Sequence, residues 1–265
     1  MRQAAKRFSA FADDYDRARP HPPRELTEVV GAWAGLAEGE RVPVVVDVGA
    51  GTGISTVLWA GRAERVVALE PSAEMRAVAA RRCADAGMAV EFGDAVAEDT
   101  GLPDGCADVV TASQALHWFD PERALPEIAR ILRPGGVFAA YDCDWPPCVD
   151  AEVDAAYHHY QRMHVAEEVR RDVRPPYAAK GGHADRMRDS GRFRHVADIA
   201  LSRRDSGDAD RLLAMALSQG GTVALLAEGV SEEAIGLDRL REVAERRLAA
   251  PRPWWWTYRV RLAVV

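Results

Sequence analysis

The chain is poor in cysteine and almost devoid of lysine. Its four cysteines are Cys83, Cys106, Cys143 and Cys148. Only Cys143 and Cys148 are close in sequence, and Pro146-Pro147 lies between them. That spacing excludes a zinc pattern, and scattered thiols do not make a disulfide framework, so free thiols are expected. The only lysines are Lys6 and Lys180, so arginine carries the basic side. No apolar run approaches the ~20 residues that span a bilayer, and no membrane association is expected. The opening stretch, MRQAAKRFSAFADDY, lacks the apolar core of a signal peptide, so a cytoplasmic location is expected. Net charge is −7 with both signs interspersed, which argues against nucleic-acid binding. Internal repeats and low-complexity tails are also missing.

What is present is a regular alternation. The 265 residues are 48% hydrophobic, enough for one substantial domain or a domain with an inserted cap. Phe8, Phe11 and Tyr15 recur at helical spacing before the extended Arg19-Pro20-His21-Pro22-Pro23. Residues 24–37 read as a helix. Then Val44–Val48 reads as strand, Ile54–Gly61 as helix, Arg65–Leu69 as strand and Ser72–Ala86 as helix. Ser72 is the expected N-cap and Gly87 the C-terminal stop. Short strands follow at Val90–Phe92 and Ala107–Ala112, a helix at Pro121–Leu132 and a strand at Val137–Tyr141. Continuous apolar strands alternating with helices mean a doubly wound, mostly parallel α/β sheet covered on both faces.

The rhythm breaks at Asp142. Residues 145–190 look helical and are interrupted by Pro175-Pro176 and Gly181-Gly182, so a helical cap is expected after the fifth strand. The sheet pattern resumes at Phe193–Leu201, helices follow near 208–219 and 231–249, and residues 254–265 alternate as a half-buried strand. Trp254, Trp256, Tyr258, Val260, Leu262 and Val264 share one face of it. That strand is expected to be antiparallel and near an edge. The domain reading is a core of 1–144 and 191–265, with lid helices in 1–37, and a cap of 145–190 over the substrate site.

The most informative stretch is Val44-Val45-Val46-Asp47-Val48-Gly49-Ala50-Gly51-Thr52-Gly53. Strand, glycine turn and helix in that order build a ligand cradle at the carboxyl end of a buried strand. About 20 residues on, Glu70 and Pro71 end a second strand, where a carboxylate can accept both hydroxyls of a ribose. Asp94 and Ala95 end a third strand, where an acid can accept from an adenine amino group. The glycines alternate and never reach the wider G-x-G-x-x-G frame, which speaks against a dinucleotide site. Asp47, before the turn, could meet a cationic ligand tail.

These motifs resemble class I S-adenosylmethionine-dependent methyltransferases. The resemblance rests on Asp47–Gly53, Leu69-Glu70-Pro71-Ser72, Gly93-Asp94-Ala95 and Ile131-Leu132-Arg133-Pro134-Gly135-Gly136, and covers roughly residues 8–141 and, more weakly, the rest to the end. Tyr15, Arg19-Pro20 and Gln114-Ala115-Leu116-His117-Trp118 resemble the small-molecule subgroup that contains trans-aconitate methyltransferases. The resemblance implies a Rossmann-like seven-stranded sheet with S-adenosylmethionine bound at its crevice. Gly49, Ala50, Gly51 and Gly53 would line the methionine part, Glu70 and Pro71 the ribose, and Asp94 and Ala95 the adenine. Ser113, Gln114 and Arg19 would reach the amino-acid tail, and Tyr15 would close the lid.

His117 is the candidate base, since an imidazole titrates in the useful range, with a pocket-wall role as the alternative. Trp118, Tyr141 and Trp145 are candidate substrate contacts. On the cap, Tyr157, Tyr160, Gln161 and His164 recur at i, i+3, i+4 and i+7; such a stripe suits either a small substrate or simple packing. Arg170, Arg171 and Arg174 are balanced by Glu167, Glu168 and Asp172, which suits a solvated face. No metal is expected, because Ser113 stands where a fourth-strand ligand would be needed beside Asp142 and Asp144. The expected activity is methyl transfer to a small molecule, first to a carboxylate or hydroxyl oxygen, by a monomer or homodimer. Nitrogen or carbon acceptors, a nicotinamide oxidoreductase and a non-catalytic module are the rival readings.

Overall fold

A computed structural model describes residues 19–173 and 179–265. Tyr15, and the lid helix expected around it, lie outside the described residues. Helix α1 (Glu25–Trp33) leads into strand β1 (Val42–Val48), and β2 (Ala63–Leu69), α2 (Ala73–Asp85) and β3 (Glu91–Gly93) follow. Then come β4 (Ala107–Ser113), α3 (Pro121–Ile131) and β5 (Leu132–Cys143). Helices α4 (Ala151–Arg170) and α5 (His183–Asp189) precede β6 (His195–Gly207). Helices α6 (Ala209–Leu217), α7 (Gly220–Ala227) and α8 (Leu237–Arg247) precede the last strand, β7 (Arg252–Val264).

The seven strands form one sheet in the order β3-β2-β1-β4-β5-β7-β6. Strands β1 to β5 are parallel, and β7 runs antiparallel to both β5 and β6. The chain winds outward in both directions from β1 and β4. That reversal opens a crevice at their carboxyl ends, where doubly wound sheets bind ligands. The C-terminal strand therefore lies inside the sheet, and β6 takes the edge beyond it.

The pleat explains why both faces are covered. Val45, Val109 and Val137 pack on one side with α1, α4 and α6–α8. Their chain neighbours Val46, Val110 and Phe138 pack on the other side with Leu125, Ile128 and Ile131 of α3. Successive side chains point to opposite faces, so a strand buried on both must be apolar throughout. Trp254, Trp256 and Tyr258 are fully buried, as the alternation predicts, and Trp255 between them is 49% exposed.

Local chemistry sets the element ends. Ser72 Oγ accepts the Met75 N–H at 3.2 Å and caps α2. Asp120 caps α3 at Glu122 N, with Pro121 at the first helical position. Two expectations change in detail. The helix read over Ile54–Gly61 shrinks to a single 3₁₀ turn at Thr56–Trp59, because Ala60 leaves helical geometry for an extended ψ of 119°. Strand β5 begins before the Pro134-Gly135-Gly136 break, pairing Leu132 with Ala107 across a register shift. The inserted segment does not stand apart: Val153, Ala156, Tyr157 and Tyr160 of α4 share one core with Leu212, Leu225 and Leu240 of the later helices. Among the described residues, no helix is long and apolar enough to cross a membrane.

Asp47 ties three of these elements together, so its partners are expected to matter for stability. Thr111→Val should lower unfolding free energy by about 1.5–3 kcal/mol, the usual cost of losing a hydrogen bond to a charged group. Urea unfolding of the variant against the parent would measure it, and an unchanged midpoint would mean that the Thr111 bond contributes nothing.

Candidate functional site

A partly open cleft of about 980 Å³, its mouth included, lies at the carboxyl ends of β1 and β4. Its floor is the turn after β1. Gly49 N and Ala50 N both donate to Leu69 O, at 2.8 and 3.1 Å, which docks the turn against β2. Gly49 has φ +70, and a Cβ there would stand 2.9 Å from Ala115 Cβ, so only glycine fits. Gly51 is different: a Cβ built on it would meet nothing within 4 Å. It faces the open cleft, where a side chain would occupy ligand space.

Glu70 stands over this turn and is 7% exposed. Its Oε2 accepts Gly51 N at 3.0 Å and its Oε1 accepts Ser72 N at 2.9 Å. Burial raises its pKa and the two amides pull against that rise. A carboxylate offers about four acceptor sites, so the two amides leave capacity for ligand hydroxyls. Ser113, Gln114, Ala115, Trp118 and Phe119 form the wall after β4. Gln114 holds a strained φ of +51, and its backbone N–H donates to Tyr141 O at 2.8 Å. Arg19 enters from the N-terminal side, its guanidinium 5.0 Å from the centre of the Trp145 ring.

Of the residues expected here, Arg19, Gly49, Ala50, Gly51, Glu70 and Pro71 line the cleft, as do Ser113, Gln114, Trp118 and Trp145. Others stand elsewhere. Asp47 is fully buried and does not face a ligand tail: its oxygens accept Thr56 Oγ1 at 2.6 Å and Thr111 Oγ1 at 2.8 Å. Burial raises its pKa, opposed by those hydroxyls. Gly53 packs against Ala79 instead of the cleft. Asp94 is exposed just past β3 and Ala95 is half-buried; neither lines the cleft. Tyr141 is fully buried beneath the turn, with its hydroxyl on Ser55 Oγ.

The α4 stripe is packed inward. Tyr157 and Tyr160 are fully buried, and Tyr157 Oη accepts from Gln219 Nε2 at 2.9 Å. Tyr160 Oη donates to Ala216 O at 3.1 Å. His164 lies buried 3.8 Å from Glu168, and the half-buried Gln161 meets His158 at 3.2 Å. Packing onto α6 and α7, the simpler alternative, describes this placement. Arg170 and Arg171 both pair with Glu167 at the surface. Arg174 lies outside the described residues.

Sequence reasoning missed Thr52, Ile54, Ser55, Met75 and Tyr258 as cleft residues. Tyr258 had a signal, since it shares the buried face of β7 with Trp256. Its position beside the cleft follows only from β7 inserting next to β5.

His117 is 8% exposed and stands just behind the cleft wall. It belongs to a buried cluster around Asp142 at the end of β5. His117 Nδ1 is 3.6 Å from Asp142 Oδ1, and His183 Nε2 is 3.7 Å from Oδ2. Lys180 Nζ lies 3.2 Å from Oδ1 and Arg261 Nη1 3.2 Å from Oδ2. Lys180 also donates to Gln114 Oε1 at 2.7 Å, which ties the cluster to the cleft wall. Burial alone would raise the Asp142 pKa, but His117 and Lys180 outweigh it and hold the carboxyl below its usual range. Burial lowers the pKa of His117 and takes His183 down to about 3.

The atoms of His117, Asp142 and His183 all lie within 4.8 Å of one another, a spacing that could hold a metal ion. The chemistry of their neighbours does not suit one. Arg186 Nη2 sits 2.7 Å from His183 Nδ1, so that nitrogen accepts and Nε2 carries the hydrogen. Two permanent cations already compensate the one carboxylate.

With this geometry in view, comparison with known proteins is informative. Residues 46–140 match the family model described as a methyltransferase domain. An uncharacterised methyltransferase of Mycobacterium tuberculosis is 40% identical over 129 residues, 49% of each chain. The malonyl-[acyl-carrier protein] O-methyltransferase of Pectobacterium atrosepticum is 40% identical over 139 residues, 51% of each chain. The chain thus spans about half the length of the curated relatives it matches. A solved structure from Anaeromyxobacter dehalogenans, provisionally named a type II methyltransferase, superposes with a TM-score of 0.70 at 25% identity. That likeness covers 93% of this chain and 97% of the other. Residues 46–140 are thus similar to a methyltransferase domain, and the fold around them is shared with the solved structure.

The buried His183 makes a pH prediction. Its ordinary value is 6.5 and its folded value about 3. Between these the unfolded chain binds more protons, so stability falls as pH drops through that window. One such group gives a limiting slope of about 1.4 kcal/mol per pH unit. His183→Gln should flatten the acid limb by that share, read from urea midpoints at pH 7, 5 and 4. Parallel curves for parent and variant would contradict it.

Proposed function

We propose that this protein transfers a methyl group from S-adenosylmethionine to an oxygen of a small molecule. The observation that carries the reading is the cleft itself. It lies at the topological switch point, floored by an open glycine at Gly51 and overlooked by the buried carboxylate of Glu70. Those features fit the donor. Gly49, Ala50 and Gly51 would lie along its methionine part, and Glu70 would accept the ribose hydroxyls with its remaining lone pairs. Arg19, Ser113 and Gln114 would meet the amino-acid tail. Asp94 and Ala95 stand one strand beyond Glu70, on the side where the adenine would extend.

When bound, the donor supplies an activated methyl group on a sulfonium. The chain's own contribution is to orient the acceptor and exclude water. Positioning alone can be worth on the order of 7–11 kcal/mol at its upper end. Trp118, Phe119, Trp145 and Tyr258 give the cleft an aromatic wall, which suits a small and partly apolar acceptor. An oxygen acceptor is supported by the relative whose name specifies O-methylation. The likeness of the Gln114–Trp118 stretch to trans-aconitate methyltransferases supports a small-molecule substrate. His117, just behind Trp118, is the side chain available as a base.

Calorimetry should show binding of S-adenosylmethionine and of its demethylated product. Glu70→Ala should weaken both by roughly 10- to 100-fold, the cost of about 1.5–3 kcal/mol for a lost charged acceptor. Binding of NADH with neither of those ligands would overturn the assignment. A screen with labelled donor against small-molecule extracts would then identify the acceptor.

A further inference from the structure

The sheet ends in a long strand with an open side. Strand β6 runs over 13 residues, His195–Gly207, and pairs with β7 residue for residue without a register shift. Among the described residues, its other edge pairs with no strand. Alternate residues of an edge strand turn their N–H and C=O groups outward, a ready template for another strand. Edges that stay single are commonly blunted by proline, by lysine, by a bulge or by short length. Strand β6 contains neither proline nor lysine, and it is long and unbroken.

Its charges are self-complementary. Asp198, Ala200, Ser202 and Arg204 share the exposed face of the strand. Arg204 enters no ion pair among the described residues. Asp198 has only a long contact, 3.8 Å from Arg261 Nε, and that guanidinium is committed to Asp142 at 3.2 Å. The other two charges of this stretch are occupied. Arg203 donates to Pro22 O at 2.8 Å, and Asp205 pairs with Arg211 at 2.7 Å. On the opposite face Ile199 and Leu201 are half-buried and pack on the core.

We propose that two copies of this chain join edge to edge through β6, antiparallel about a two-fold axis at Leu201, with Asp198 of each copy opposite Arg204 of the other. An antiparallel pair about such an axis sets one residue opposite its own copy, and residues equally far on either side opposite one another. Leu201 is the midpoint of His195–Gly207, so this register gives the two strands their greatest overlap. Asp198 and Arg204 each lie three residues from Leu201, so the same register pairs them, and symmetry makes the pair twice. On the other face Leu201 meets Leu201 of the second copy, an apolar contact at the axis. Moving the axis one residue either way sets Arg204 opposite Val196 or Ala200 and Asp198 opposite a serine, so both ion pairs are lost. The two sheets become one, and neither β6 edge stays open.

Sedimentation equilibrium of the whole chain over a wide concentration range tests this. The wild-type protein should reach twice the mass of one chain. Arg204→Glu and Asp198→Arg should each weaken association roughly 10- to 100-fold, since each sets like charges opposite one another at two places. The double variant should associate nearly as well as the wild type, because the pairs return with their signs exchanged. Both side chains are exposed, so the substitutions leave the core untouched. A protein that stays monomeric up to its solubility limit would overturn the proposal. So would a dimer that neither single variant weakens, or a double variant no tighter than the singles. Hydrogen exchange of the wild-type chain gives a reading that needs no variant. Amides of residues 195–207 should gain protection as the protein is concentrated. Protection gained elsewhere and not there would put the contact on another surface and refute the β6 pairing.

Discussion

The structure depends first on a buried carboxylate. Asp47 has no solvent exposure, and its oxygens are held by Thr56 from the 3₁₀ turn and Thr111 from β4. An acid in that position is costly unless its lone pairs are satisfied. The two threonines satisfy it, and in doing so they fix where the chain goes after β1. The glycine turn can then curl over Leu69 O and present Gly51 to open space. Glu70, one strand away, closes the same turn from above through Gly51 N. Two carboxylates thus divide the work: one is spent inside the fold, and the other is shared between turn and cleft.

A second polar centre organises the opposite wall. Asp142 gathers Arg261 of β7, Lys180 before α5, and the imidazoles of His183 and His117 within 4 Å. Lys180 links it to Gln114, whose strained backbone stands at the cleft. Between these two centres lies an aromatic layer. Trp145 stacks on Tyr157 at 6.4 Å and meets Trp256 edge-on at 5.6 Å, and so joins the inserted helix to the last strand. The inserted helix is therefore part of the main core.

Much of this was legible in the chain itself. The β-α alternation, the N-cap at Ser72, the glycine turn and Glu70 all follow from local rules of period and backbone geometry. The antiparallel last strand was visible in the Trp254 to Val264 alternation, but its place between β5 and β6 was not. Which strand neighbours which depends on long-range pairing. The role of Asp47 was hidden for a related reason, since its burial and its Thr111 partner appear only when β4 lies beside β1. The cap stripe shows the same limit. Helical spacing placed Tyr157, Tyr160 and His164 on one face of α4, and only α6 and α7 revealed that this face is turned into protein.

The sequence by itself determined the architecture, the turn that faces the cleft and the acid that overlooks it. These depend on periodicity, on glycine's freedom at positive φ and on acids set at strand ends. Tertiary structure decided the role of each polar side chain. Asp47 and Glu70 look alike in the chain, each ending an apolar strand, yet one is enclosed by threonines and the other faces the cleft. His183 carried no signal at all until α5 folded back against β5. A side chain's chemistry is set by what surrounds it, and for these residues the surroundings come from segments far away in the chain.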